Sequence, residues 1–131
     1  MFLGGSCNPT TWRKDVAIPI CEKANVSFYN PQVDDWHSGL IALENKAKEE
    51  AKVRLFVIDS QTRALSSCIE VAELVTRGQL VVLVIQEIEE NAVINGDVIG
   101  PKERKDLNRS RSYLADLVHR VGRYMYLHIL G

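Results

Sequence analysis

A single glutamate, Glu70, follows Ser66, Ser67 and Cys68 at a point where a helix should begin, between two strongly apolar runs at residues 55–58 and 80–85. A carboxylate in the first turn of a helix is favoured in its ionised form by the helix dipole, by about 0.3–1 kcal/mol. Held ionised beside an apolar sheet, it suits a nucleophile on a sugar anomeric carbon, or a general base. The same spacing fits a glutamate that only complements the dipole, or the acidic half of a capping box with Ser67 as N-cap. In "NPQVDDWH", Trp36 could stack on a base while Asp34 or Asp35 accepts its N–H groups, although a loop tryptophan is commonly a packing anchor. Arg13 and Arg63 have the donors to meet a 5′-phosphate bidentately, or are plain surface charges. Cys68 stands near the same helix start, where a thiol pKa can fall. His37, His119 and His128 share no ligand spacing, so no metal is expected.

The elements that must carry these groups alternate. Residues 1–3 read as a short strand running into Gly4 and Gly5, and a helix follows from about Thr11, with Pro19 imposing a kink or an early end. Residues 26–29 read as a second strand, stopped by Asn30-Pro31, and residues 40–51 as an Ala-, Glu- and Lys-rich helix. Strands at 53–58 and 79–85 flank a helix at 67–77 closed by Gly78. Pro101 opens a helix to about Val121, and residues 124–130 read as a fifth strand. This βαβ alternation, with third and fourth strands lacking polar alternation, predicts α/β architecture in one domain over 1–131. The simplest topology is a flavodoxin-like, doubly wound, five-stranded parallel sheet of order 2-1-3-4-5 with helices on both faces.

Ligands bind such sheets at the strand carboxyl ends, where strand order reverses. Two loops meet there: "GGSCNPT", with Gly4, Gly5 and Ser6, and "DSQTRALSSC", with Asp59, Arg63, Ser66 and Ser67. The glycines let a backbone approach a ligand, or simply make a tight turn that packs strand against helix. Neither GxGxxG nor GxxxxGK[ST] is present, so no dinucleotide or P-loop cofactor is implied.

Composition narrows the classes. Of 131 residues, 46% are hydrophobic and 25% charged, with a net charge of −1. That balance gives no electrostatic footprint for nucleic acid, and no apolar run approaches the ~20 residues of a membrane span. The basic face of the last helix, with Arg104, Arg109 and Arg111, reads as solvated or dimer-facing. Three cysteines without metal-ligand spacing fit a reducing compartment, the cytoplasm or the nucleus.

The segments "FLGGS", "FYNPQVDDW", "LFVID" and "IEVAELVTRG" together resemble the nucleoside 2-deoxyribosyltransferase family, in its 2-deoxyribosyltransferase-like branch. That branch includes domains of larger animal signalling proteins such as Raw. The resemblance implies that Glu70 attacks C1′ of a deoxyribose, forming a covalent glycosyl-enzyme. It implies that Glu44 handles the proton or hydrogen bonding of the base, against the bland alternative of a solvated helix charge among Lys46, Lys48, Glu49 and Glu50. It also implies that Asn95 reaches into a neighbouring subunit's site, making the protein at least a homodimer; otherwise Asn95-Gly96 is an ordinary turn. Ser66 or Ser67 would meet a phosphate or sugar. The chain departs from the pattern where Phe2 replaces an aromatic hydroxyl and Ala64 replaces an acidic residue, for which Asp59 could substitute if the loop folds back. The implied activity is transfer or hydrolysis of the sugar of a deoxynucleoside or its 5′-monophosphate. The alternative is a catalytically inactive nucleotide-binding or protein-interaction domain of a larger signalling protein.

Overall fold

The computed structural model describes residues 1–122 and the chain at 126–128. Strand β1 (Phe2–Gly5) leads to a helical segment whose first turn, Arg13–Ala17, is wound as a π-helix and continues as α1 (Ile18–Lys23). Pro19 follows closely on the widened turn inside this continuous helical segment, so the expected kink or early end is replaced by a π-helical turn and the helix runs on to Lys23. Helix α2 (Leu40–Glu50), strand β2 (Arg54–Ile58), helix α3 (Leu65–Thr76) and strand β3 (Val81–Ile85) follow. A small hairpin, β4 (Val93–Ile94) and β5 (Asp97–Val98), precedes α4 (Pro101–Val121) and β6 (Tyr126–His128).

The main sheet is parallel and four-stranded, in the order β1-β2-β3-β6. The strand expected at residues 26–29 is reduced to one parallel bridge, Tyr29 to Phe2, supported by Leu3 N–H to Tyr29 O at 3.0 Å and Tyr29 N–H to Met1 O at 2.9 Å. Pro31 has no N–H to extend the ladder, so the pairing stops there. The other residues of the expected fifth strand lie outside those described.

One face of the sheet is dry. Phe56, Ile58, Val81, Leu83 and Ile85 are buried against Val71, Leu74 and Val75 of α3 and Leu114 and Val118 of α4. Each such side chain contributes about 1.5–3 kcal/mol through burial. Leu55, Val57, Val82 and Val84, on the alternate face, are only half-buried. The unbroken apolar runs had predicted full cover on both faces. A satellite cluster of Ile88, Ile94, Ile99 and Leu107 anchors the hairpin to α4. Among the described residues, no helix is long and apolar enough to cross a membrane.

Candidate active site

A cavity of about 650 Å³ opens at the carboxyl end of β1, between the loop after β1, the face of α2 and the start of α3. Its floor depends on two glycines. A Cβ on Gly4 would lie 2.5 Å from the Phe56 ring, and one on Gly5 would lie 2.0 Å from the Val57 carbonyl oxygen of the neighbouring strand. Gly5 also has φ +107°, a conformation open mainly to glycine. Packing alone therefore requires both residues, and both also line the cavity.

The loops are held by buried cations. Arg13 is fully buried; its guanidinium donates to the carbonyls of Leu3 (2.8 Å), Ser6 (2.7 Å) and Gly5 (3.2 Å) and lies 4.3 Å over the Trp12 ring. Arg111 of α4 is buried too and donates to the carbonyls of Asp59, Thr62 and Gln86. Neither is the free phosphate ligand or solvated face that its neighbours in sequence suggested. Arg63 pairs with Glu103 at 2.7 Å, outside the cavity. Asp59 is buried and caps its own loop, its Oδ1 accepting from Gln61 N–H at 2.9 Å and its N–H donating to Ser6 Oγ at 3.1 Å. It does not reach the cavity, so it does not stand in for the acid missing at Ala64. Ser6 Oγ also accepts from Thr62 Oγ1–H at 2.7 Å, which ties the two loops together.

Helix α3 starts at Leu65, two residues earlier than expected, with Ala64 as N-cap at φ 56° and ψ 34° and no side-chain cap. Glu70 is therefore in the second turn, not the first, and the capping box with Ser67 does not form. The dipole effect fades within the first turn, so it bears little on Glu70. Its contact is instead with Lys48, whose Nζ donates to Glu70 Oε2 at 2.9 Å. The Lys48 side chain is 9% exposed and that of Glu70 28%. Glu70 Oε1 has no hydrogen-bond partner among the described residues and is left to the cavity.

Glu44 and Lys48 are four residues apart on α2, so they share the helix face that lines the cavity. Burial, and then the charge of Glu70, raise the Glu44 pKa above the usual carboxylate value, against the opposing pull of Lys48 and the Trp36 indole. Cys7, also in the cavity wall, is held as a thiol because burial raises its pKa more than Arg13 lowers it. Burial raises the Cys68 thiol likewise, the reverse of the drop its position suggested.

Of the residues singled out in the sequence, Gly4, Gly5, Ser6, Trp36, Glu44, Ser66, Ser67 and Glu70 all line this one cavity. Asp34, Asp59, Arg63 and Asn95 do not. Asn95 is at the tip of the β4–β5 hairpin, where Asn95 (φ 52°) and Gly96 (φ 82°) make the turn. Phe2 lines the cavity without a hydroxyl and stacks on Tyr29 at 5.7 Å. Lys48 is the residue that sequence reading passed over. Its spacing from Glu44 was the available signal. Among the described residues, no group of three or more His, Cys, Asp or Glu gathers to hold a metal.

A family described as "Nucleoside 2-deoxyribosyltransferase like" matches residues 1–88, a span that contains every residue lining the cavity. The chain belongs to that family. No curated protein and no solved structure matches it significantly.

Proposed function

We propose that this chain breaks the N-glycosidic bond of a deoxynucleoside, with Glu70 as nucleophile and Glu44 as the acid that protonates the departing base. The observation that carries this reading is that two carboxylates face one cavity in different surroundings. Glu70 is ion-paired through one oxygen, with the other open to the cavity, and Glu44 holds its proton above the usual carboxylate range. Environments that separate two carboxylates in this way assign nucleophile and acid. The exposed Trp36, with Ile41 and Leu65 beside it at the rim, offers an apolar platform for a base. Gly4, Gly5, Ser6, Ser66 and Ser67 form the sugar side.

The charge balance favours the nucleoside over its 5′-monophosphate. Lys48 is the one cation lining the cavity among the described residues and Glu70 already engages it, while Glu73 pairs with Arg77 at 3.4 Å, so a phosphate would find no free cation to offset its charge. The dipole at the start of α3 offsets only about 0.3–1 kcal/mol of that. Asn95 is assigned to a second copy's cavity, which makes the working unit a homodimer. The three cysteines are free, which supports a reducing compartment, the cytoplasm or the nucleus.

A second reading rests on the same ion pair: a carboxylate held by a buried lysine also suits an inactive nucleoside-binding domain of a larger protein. Base release from a panel of deoxynucleosides and their 5′-monophosphates, with and without an acceptor base, separates the two. Release that vanishes in Glu70→Ala supports the enzyme, and its response to the acceptor distinguishes transfer from hydrolysis. Ligand-dependent thermal stabilisation without release from any substrate would favour the binding domain.

A further inference from the structure

Helix α3 begins without a capping side chain, and the first of its amides to find a partner is that of Cys68, which donates to Ala64 O at 3.0 Å. The N–H groups of Leu65, Ser66 and Ser67 have no acceptor among the described residues, although a helix start leaves such groups in need of one. Residues 64–67 all line the cavity. A second, independent feature adds to this. Ser67 is only 8% exposed, it lines the cavity, and its hydroxyl has no partner among the described residues. Ser6, 2% exposed, also lines the cavity, and its Oγ accepts from Asp59 N–H and from Thr62 Oγ1–H. Ser6 and Thr62 have two hydroxyl protons and one hydrogen bond between them, so one O–H of the pair is left to donate.

The acceptors of the same loops are already taken. Ser6 O accepts from Thr10, Trp12 and Arg13, and Gly5 O from Arg13 and Cys7. Asp59 caps its own loop and does not line the cavity. We propose that the start of α3 is an oxygen-binding subsite, made of the amides of residues 65–67, the Ser67 hydroxyl and the spare O–H of the Ser6–Thr62 pair, which holds a hydroxyl oxygen of the sugar, at C3′ or C5′, through its lone pairs. This rests on the glycosidic reading and deepens it by stating what the site requires of the sugar: an acceptor, where a carboxylate would have required a donor. Such donors suit an anion as well, but the cavity has no free cation to offset one, and a neutral oxygen needs none.

The test is calorimetric binding of a deoxynucleoside and its 3′-deoxy and 5′-deoxy analogues to the Glu70→Gln protein, which on the glycosidic reading does not consume them. Removing the oxygen that the subsite holds leaves buried donors unpaired and should weaken binding about 10- to 100-fold, and the analogue that suffers identifies the position. Ser67→Ala, added to the same protein, should weaken the parent nucleoside and leave that analogue unchanged, so the gap between them narrows. Alanine is the better helix former, so α3 remains intact. Equal binding of all three nucleosides overturns the proposal, as does a Ser67→Ala loss shared equally by the three. A 5′-monophosphate that binds more tightly than its nucleoside, with the gain lost in Ser67→Ala, overturns it too and makes this an anion site. Should the native protein release no base while the coupling to Ser67 persists, the glycosidic reading falls and the subsite stands.

Discussion

Replacing Gly5 by alanine tests the floor of the cavity. The new Cβ would lie 2.0 Å from Val57 O and 2.6 Å from Val57 N, both backbone atoms of β2, which have no rotamer to escape into. Val57 O is also the acceptor of Ser6 N–H at 2.7 Å, so a shift of β1 sacrifices the first hydrogen bond of the loop. The φ of +107° adds strain for any side chain. Strain and overpacking each cost about 1–3 kcal/mol, so the change should cost about 4 kcal/mol. At about 2.1 cal/mol/K per residue, a chain of this size unfolds with an entropy near ~0.28 kcal/mol/K, so Tm should fall by about 14 °C. Gly4→Ala meets only the Phe56 ring, at 2.5 Å, and its cost should be about 1–3 kcal/mol, or about 4–11 °C. Calorimetric melting of the two variants beside the native protein gives the order. If Gly5→Ala melts within about 2 °C of the native protein but no longer binds a deoxynucleoside, the packing argument is wrong and the glycines exist for the ligand.

Two more perturbations address the carboxylates and the walls. If Glu44 is the acid, as proposed, it acts in its protonated form, and because its pKa is raised, activity should hold to higher pH than an ordinary glutamate allows and fall as pH rises through that pKa. Glu44→Gln should lose about 10²–10⁴ in rate and flatten that high-pH limb; an unchanged limb would remove Glu44 from the acid role. Arg111→Leu leaves the carbonyls of Asp59, Thr62 and Gln86 without their donor and should cost about 3–5 kcal/mol in urea denaturation. The exposed Arg109→Leu on the same helix should stay within about 0.5 kcal/mol, and equal effects at the two positions would contradict the burial of Arg111.

The apolar runs at 55–58 and 80–85 made β2 and β3 legible, because a buried parallel strand needs continuous apolar sequence. The segment at 26–29 has the same local character but reached only one bridge. Edge pairing depends on the residues that come next in the chain, and here Pro31 closes the ladder. Glu70 was singled out by its place between the two apolar runs and given its role by the family pattern, which alone supplied Glu44; the local spacing of Glu70 misled by placing it in the first helical turn. That error came from Ala64, which starts the helix early from a left-handed conformation that no propensity scale assigns to alanine. Lys48 hid among Lys46, Glu49 and Glu50 because charge on a helix looks solvated until its face is known. Lys46 does pair on the surface with Glu50 at 3.9 Å, while Lys48, two residues on, is turned inward.

The buried arginines were illegible for a different reason, and they explain the character of the cavity. At the carboxyl ends of parallel strands the chain leaves the ladder, and its last carbonyls need donors that the sheet no longer supplies. Arg13 serves the end of β1, and Arg111 serves the loops after β2 and β3. Which arginine performs this task depends on how the fold brings together residues 7 to 52 positions apart, and local propensity does not contain that information. Both guanidiniums are consumed in shaping the loops, and Arg63 is consumed by Glu103. Arg13 and Arg63 are therefore not free to meet a phosphate in the cavity, which is why the proposed substrate is a nucleoside rather than its 5′-monophosphate.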